Sequence, residues 1–293
     1  MARALLGTVT ADRLTVVVNV GDDDSIYGAY VSADLDTIVY TLAGIEGPHG
    51  WGRANDTFAV MQELTSSGVD TSFRLGDKDL ATCLRRTAAL ESGVPLSAIT
   101  GEIARSFDIQ ATVLPATDDP LRTRVQVEGG SWLSFQEYFV GRHHQDTVAG
   151  LDYHGAEACH PAPGVLKSIE RADLVVIAPS NPPLSIWPIL AIPGIHAAVA
   201  SAACVAAISP LFGGTALKGP ADKVMSSLGM PPGTAGVLQA YEGLLTALVI
   251  DNADAADQHL STDRTTILAA DTRIADAAAG RRFAAWLLDT MLP

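Results

Sequence analysis

The chain has 293 residues, of which 48% are hydrophobic and only 18% are charged, so it can bury a sizeable core and does not have the composition of a disordered chain. Its formal net charge is −14, from 19 Lys plus Arg against 33 Asp plus Glu. This balance argues against nucleic acid as a partner, because nucleic-acid-binding surfaces are usually basic. An anionic substrate would need local Arg and Lys, a helix N-terminus or a divalent cation.

Short apolar runs alternate along the chain with amphipathic stretches of helical period. The apolar runs predict buried strands over 14–18, 173–178, 204–208 and 248–250. The amphipathic stretches predict helices over 57–67, 80–91, 96–107, 163–171, 220–228 and 234–247. This alternation is typical of an α/β fold with a Rossmann-like, doubly wound and mostly parallel sheet.

The middle of the chain has a different pattern. Residues 123–127 and 132–135 flank a Gly-Gly turn, which predicts a β-hairpin. We therefore expect a smaller α+β insertion, helical and hairpin, over 78–165. The Rossmann-like core is predicted over 1–77 and 166–293.

Cysteine usage and hydropathy indicate where the protein acts. Cys83, Cys159 and Cys204 lack metal-like spacing, which favours three reduced cytosolic thiols. Pro, Gly, His and Ser interrupt the apolar segment 191–210, so a buried helix followed by a strand is predicted there rather than a membrane span. No signal peptide opens the sequence, and the expected location is the cytoplasm.

The loop after the first strand is rich in carboxylates. Asp22, Asp23, Asp24, Asp34 and Asp36 fall within fifteen residues at a strand's C-terminal end. Like charges this close repel unless a cation lies among them, and oxygen ligands in this number suit Mg²⁺ or Ca²⁺. The alternative interpretation is that Asp34 caps a helix near residue 35 and that the other carboxylates are solvated.

Three further loops follow predicted strands. Arg74 precedes a Gly-Asp turn and could contact an anion or a flat heterocycle. Ser180 and Asn181 end another strand and could donate hydrogen bonds to phosphate or base oxygens. Glycines and a lysine that could approach a phosphate follow the next strand: Gly213, Gly214, Lys218 and Gly219. Each loop alone is weak evidence for a binding site. In an α/β sheet, however, such loops lie at the same edge, and together they favour a phosphorylated ligand with a divalent ion.

Several segments together resemble the 2-phospho-lactate transferase family. The matching segments keep their order and lie at 18–23, 32–37, 40–44, 75–77, 79–82, 114–120, 135–140, 178–182 and 218–222. The resemblance implies a Rossmann-like fold, usually dimeric, that uses Mg²⁺ and a guanosine diphosphate donor carrying lactate or enolpyruvate. The acceptor would be the terminal ribityl hydroxyl of the deazaflavin Fo on the way to coenzyme F-420, and GMP would leave.

The resemblance also implies roles for individual residues. Asp36 and Arg74 would hold Fo, and Asp36 would accept the proton of the acceptor hydroxyl. Asp22 and Asp34 would bind the metal. The nucleotide would be held by Ser180, Asn181, Gly213, Gly214, Lys218 and Gly219.

The sequence departs from the family pattern in four places. Members usually have a strand and a Gly-rich loop ahead of a helix that residues 2–7 resemble, and we expect this chain to lack both. Ala33 stands where Pro is usual, Cys83 where His is usual and Trp187 where Gly is usual. Because Trp187 is large and follows the predicted nucleotide loop, it is expected to interfere with donor binding.

Two other functions are also compatible with the sequence. One is a non-catalytic regulatory protein of the same superfamily that binds a nucleotide or sugar nucleotide. The other is a dehydrogenase, against which the absence of a G-x-G-x-x-G segment after the first strand counts. The segments 135–139 and 34–37 favour the transferase, with small-molecule substrates, a homodimeric assembly and no membrane partner.

Overall fold

The structure is a computed structural model that describes residues 1–48 and 50–292. Its strands are β1 (Thr15–Val18), β2 (Asp24–Ile26), β3 (Ala29–Val31), β4 (Thr112–Pro115), β5 (Arg122–Val127), β6 (Trp132–Ser134), β7 (Val148–His154), β8 (Val175–Ile177), β9 (Val205–Ile208), β10 (Leu211–Phe212), β11 (Thr215–Ala216), β12 (Ala247–Asp251) and β13 (Thr266–Ala270).

The helices are α1 (Ala2–Leu6), α2 (Ala33–Ala43), α3 (Ala59–Ser66), α4 (Asp77–Glu91), α5 (Leu96–Ser106), α6 (Val165–Arg171), α7 (Trp187–Leu190), α8 (Ile195–Ser201), α9 (Ala221–Ser227), α10 (Thr234–Ala240) and α11 (Ala277–Met291). Short π-helical turns cover Glu137–Gly141 and Pro182–Ile186.

Parallel strands form the centre of the molecule. Four pair in the order β13-β12-β9-β8, and β1 pairs in parallel with β4. One hydrophobic cluster joins the two groups of strands through residues such as Val18, Val113, Val205 and Leu248. β9 and β12 are buried at every position, as the unbroken apolar runs predicted. The predicted α/β class with a parallel sheet is therefore confirmed.

The hairpin predicted from the Gly-Gly turn is also confirmed. β5 pairs antiparallel with β6, and β7, which the sequence pattern did not reveal, pairs with the other edge of β5. This three-stranded sheet packs around its own small cluster of Val125, Val127 and Tyr138.

The division of the chain at 78–165 remains a prediction, although elements within that range contribute to the main core. Within it, β4 pairs with β1, and α5 buries Ile99 and Ile103 in the main core. The three-stranded sheet and the π-turn share a second, small cluster, to which Leu184 and Val224 from outside this range also contribute. The pairing of β4 with β1 was not predicted, because β4, with the sequence Thr-Val-Leu-Pro, is too short to give a clear period.

The predicted helix over 234–247 is wrong at its end. It stops at Ala240, and Gly243 takes a positive φ of 79° before β12 begins at Ala247. A left-handed glycine cannot continue a right-handed helix, so the chain turns there. The predicted helix and strand within 191–210 are confirmed as α8 and β9.

Candidate active site

A cleft of about 820 Å³ opens where the ends of β1, β8 and β9 meet. Eight of the residues predicted from the sequence line it, namely Asp22, Asp34, Asp36, Arg74, Ser180, Asn181, Lys218 and Gly219. They come from segments that are far apart in sequence. Asp22 follows β1, and Ser180 and Asn181 follow β8, at the C-terminal ends of parallel strands, where ligands bind in α/β folds. Asp34 and Asp36 lie in the first turn of α2, and Arg74 lies just before α4.

Asn19 holds two carboxylates of the cleft together. Its side-chain amide nitrogen donates to Asp22 Oδ1 at 3.2 Å and to Asp34 Oδ2 at 3.1 Å. Its carbonyl oxygen accepts from the Gly21 backbone N–H at 2.9 Å, which fixes the orientation of the amide. The carboxylates of Asp22 and Asp34 are therefore neighbours, although twelve residues separate them in sequence.

The electrostatics of this pair suit a cation. Burial raises the pKa of Asp22 well above its ordinary value, and the nearby carboxylates of Asp34 and Asp23 raise it further. Burial also raises the pKa of Asp34, against the effect of Asn19. Within residues 1–48 and 50–292, neither carboxylate forms an ion pair with Lys or Arg. Two clustered carboxylates in this state match the oxygen donors that Mg²⁺ prefers.

Asp36 lies deeper in the wall of the cleft and is paired with a cation. Its carboxylate forms a buried ion pair with Arg86 on α4, and the Cys83 thiol is 3.9 Å from its other oxygen. Arg86 also donates to the Tyr30 backbone oxygen at 3.2 Å. Burial raises the pKa of Asp36, while Arg86 opposes that rise. The proton-accepting role implied for Asp36 remains a prediction, and this pairing favours a positioning role instead.

Asp79 is a second carboxylate in the same wall that the sequence analysis did not select. It lies in the first turn of α4, and its Oδ1 accepts from the Tyr40 hydroxyl at 2.9 Å. Burial, with a contribution from Asp36, raises its pKa to about 6. The ligand atoms of Asp36, Asp79 and Cys83 lie within 4.8 Å of one another, and of the two carboxylates only Asp36 is ion-paired with Arg86 among the described residues.

Arg74 lies in the cleft as predicted. Its guanidinium lies over the Phe58 ring, 4.6 Å from the ring centroid. A guanidinium held by stacking keeps its planar face and its N–H donors in a defined direction. This arrangement is suited to a flat or anionic ligand.

The predicted nucleotide residues divide into two groups. Ser180, Asn181, Lys218 and Gly219 line the cleft, and Asn181 Oδ1 caps the following π-turn by accepting from Leu184 N at 3.2 Å. The Asn181 amide nitrogen is buried, and none of the described residues accepts a hydrogen bond from it.

Gly213 and Gly214 do not line the cleft. They form the turn between β10 and β11 with positive φ angles of 61° and 78°. The Gly213 N–H donates to Asp254 at 2.9 Å. Both glycines therefore form a hairpin turn. A Gly-Gly pair after a strand is typical of such a turn as well as of a phosphate-binding loop.

An aromatic wall closes the cleft on the side of the three-stranded sheet. The rings of Phe135 and Phe139 stack with centroids 5.3 Å apart and planes 10° apart. Gln136 between them donates to the Asp22 backbone oxygen at 2.7 Å and ties this wall to the acidic loop. The segment 135–140 carried the family resemblance, but nothing in its pattern indicated this contact.

The three positions at which this chain departs from the usual family residue lie in different surroundings. Ala33 lines the cleft, and Cys83 is buried behind it. Trp187 does not line the cleft. Its indole N–H donates to the Ala240 backbone oxygen at 2.9 Å, and its ring packs against the main core. The expected interference with donor binding thus has no direct steric basis.

In the described residues no single helix is long and apolar enough to cross a membrane; only the bent pair Pro182–Leu190 and Ile195–Ser201 meets that test, when taken together.

The fold and the cleft define an α/β protein in which a carboxylate pair, an arginine and the polar loop after β8 line one site. Residues 1–282 match the family model for 2-phospho-L-lactate transferase CofD. The chain belongs to this family.

Named relatives agree with that assignment. The phosphoenolpyruvate transferase of Streptomyces griseus subsp. griseus is 42% identical over 249 residues, which cover 83% of this chain and 78% of the relative. The 2-phospho-L-lactate transferase of Methanosarcina acetivorans is 36% identical over 248 residues, covering 84% and 80%.

Among solved structures, the UPF0052 family protein BH3568 from Bacillus halodurans has a similar fold. Its TM-score is 0.62 at 14% identity, over 98% of this chain and 94% of that one. At this identity the likeness supports the fold alone.

Proposed function

We propose that this chain transfers a phospho-enolpyruvyl or phospho-lactyl group from a guanosine diphosphate-linked donor to the terminal ribityl hydroxyl of Fo, a step of coenzyme F-420 biosynthesis. The observation that carries the proposal is the convergence of Asp22, Asp34, Arg74, Asn181 and Lys218 on one cleft. The relatives named above are transferases, and nothing about them favours the regulatory alternative.

The reaction joins one oxygen to one phosphorus. The ribityl oxygen of Fo forms a bond to the phosphorus that carries the three-carbon acid, and the bond from that phosphorus to the bridging oxygen breaks. GMP takes the bridging oxygen, and the hydroxyl proton passes to a base. In such transfers the protein mainly positions the groups and neutralises charge.

Residues of the cleft have separate tasks in this proposal. Arg74 and Asp36 hold Fo, with the stacked rings of Phe135 and Phe139 beside it. Asn181, Ser180, Lys218 and Gly219 hold the guanosine diphosphate. Asp22 and Asp34 would hold Mg²⁺, which when bound would neutralise the diphosphate charge.

Relatives named phosphoenolpyruvate transferase reach 42% identity, against 36% for those named 2-phospho-L-lactate transferase. This difference supports enolpyruvate as the three-carbon acid. The proposal also includes a homodimer acting in the cytoplasm, supported by the family resemblance. Light scattering after gel filtration tests the dimer, and cell fractionation tests the location.

The direct test incubates the protein with Fo, Mg²⁺ and each donor, and identifies products by mass. We expect GMP and a phospho-enolpyruvyl Fo. Lys218→Ala should weaken donor binding at least tenfold, while Lys167→Ala, an exposed lysine of α6 outside the cleft, should not. Absence of product with both donors would contradict the proposal.

A matched pair tests the cation. Asp34→Asn should abolish the rise in melting temperature that millimolar Mg²⁺ gives the unaltered protein, because a ligand stabilises the state that binds it. Asp263→Asn removes an exposed carboxylate outside the cleft and should preserve that rise. An equal response in both variants would remove Asp34 from the cation site.

A further inference from the structure

Asp79 is a carboxylate of the cleft with one oxygen fixed and no cation paired to it. The side chain is 8% exposed and lines the cleft. Its Oδ1 accepts from Tyr40, and its backbone N–H donates to Asp56 at 3.1 Å, which fixes the start of α4. Within the described ranges, no Lys or Arg forms an ion pair with Asp79.

Asp36 differs from Asp79 in being paired with a buried cation, which makes it a poor proton acceptor. If Asp36 took a proton, its negative charge would be lost and the Arg86 guanidinium, 1% exposed, would remain buried without its ion-pair partner. Leaving one member of a buried ion pair uncompensated is strongly unfavourable. Protonation of Asp79 breaks no ion pair and removes a negative charge from beside Asp36.

We propose that Asp79, rather than Asp36, accepts the proton of the acceptor hydroxyl in the cleft, with Tyr40 holding its carboxylate in place. The inference rests on the proposed function and names the base for that reaction. As the ribityl oxygen bonds to phosphorus, its proton moves to Asp79, and the electron pair of the broken phosphorus–oxygen bond leaves with GMP. The proton then passes from Asp79 to solvent through the open cleft.

The electrostatics around Asp79 agree with this role. Asp36 and Tyr40 face it from α2, Asp56 from the preceding loop, and Cys83 and Arg86 from its own helix. Burial, Asp36 and Asp56 raise its pKa, while Tyr40 and Arg86 lower it, and the outcome is a pKa of about 6. Such a group is ionised at neutral pH and lies near the value that suits a general base.

The test compares Asp79→Asn with Tyr40→Phe in the full chain, using Fo and the donor that the unaltered protein accepts. Asp79→Asn should lower kcat by about 100-fold to 10,000-fold. Fluorescence titration should show Fo binding within about threefold of the unaltered protein. Tyr40→Phe removes a hydrogen bond that lowers the pKa of Asp79, so the acidic limb of its kcat profile should move up by about one pH unit.

Tyr153→Phe is the matched control for the tyrosine. Its hydroxyl donates to the Pro183 backbone oxygen at 2.6 Å and lies outside the cleft lining, so its acidic limb should coincide with that of the unaltered protein. The proposal is overturned if Asp79→Asn keeps kcat within tenfold or if the limb of Tyr40→Phe does not move. If Asp79→Asn fails to fold, the Tyr40→Phe profile decides. No turnover by the unaltered protein would instead overturn the proposed function and this inference with it.

Discussion

The Arg86 guanidinium of α4 and the Asp36 carboxylate of α2 form an ion pair that is buried directly behind the cleft. Fifty residues separate them in sequence, and the pair joins two helices whose first turns carry cleft residues. Because both groups are removed from water, each depends on the other for its charge compensation.

Arg86→Met is expected to lower the free energy of unfolding by about 3–5 kcal/mol, since it leaves the Asp36 carboxylate buried without a cation. Urea unfolding measures the change. Arg124→Met is the control, because Arg124 pairs with Asp152 at 3.7 Å with both side chains more than two-fifths exposed, and it should cost less than about 1 kcal/mol. Equal losses in the two variants would show that burial of the Asp36 pair adds nothing.

The convergence of the cleft loops could be predicted from the sequence, whereas this ion pair could not. Asp22, Asn181 and Lys218 follow buried apolar runs, and the rule that parallel strands end at one edge brings them together without knowledge of packing. The partners of Asp36 and Asp79 depend on how α2 lies against α4. The hydrophobic pattern of a helix does not show which other helix it packs against. The sequence therefore did not predict Arg86 and Tyr40 as the partners of Asp36 and Asp79.

The glycine pair at 213–214 shows a different limit. Two glycines after a strand fit a phosphate-binding loop and a tight hairpin turn equally well, because both need positive φ. What decides between them is whether the next residues return to pair, as β11 does with β10. These strands have two residues each, too few for a periodic signal.

The raised pKa of Asp79 predicts a pH dependence of stability. A carboxyl whose pKa is about 6 in the folded protein, against an ordinary value of 3.8, binds its proton more tightly in the folded state than in the unfolded chain. The contribution of this protonation to the free energy of unfolding is complete below pH 4 and is lost as the pH rises through 6. This contribution is at most about 3 kcal/mol, because each pKa unit corresponds to about 1.4 kcal/mol.

Urea unfolding at pH 4.5 and 7.5 checks this prediction. The free energy of unfolding of Asp79→Asn should fall less between the two values than that of the unaltered protein, because the amide does not titrate. The comparison is between differences, so a constant loss of stability from the substitution cancels. An identical fall in both proteins would show that Asp79 does not titrate in this range.

Trp187 is expected to affect stability and not donor binding. Trp187→Phe removes the hydrogen bond to the Ala240 backbone oxygen and part of a ring packed on the core, which should cost about 1–3 kcal/mol. Calorimetric titration with GDP should give an affinity within twofold of the unaltered protein. Tighter binding by more than tenfold would restore the view that this indole obstructs the nucleotide.

Gly21 is expected to tolerate no side chain, because it sits against the residue that holds the carboxylate pair. A Cβ there would lie 2.5 Å from Thr123 Oγ1, which must move, and 3.1 Å from Asn19 Oδ1 and 3.2 Å from Pro188 Cβ, which it crowds. Overpacking of this kind costs about 1–3 kcal/mol, and movement of Asn19 would separate Asp22 from Asp34. The melting temperature should fall, and the stabilisation by Mg²⁺ should weaken with it.

Gly101 provides the comparison for that substitution. It lies inside α5, and a Cβ there would meet only Arg105 Nη1, at 3.5 Å. Gly101→Ala should therefore stabilise the protein by about 0.5–1 kcal/mol, because alanine loses less backbone entropy in a helix, and should leave the Mg²⁺ response unchanged. If Gly21→Ala kept the full response to Mg²⁺ while losing stability, Asn19 would hold the loop without holding the cation site.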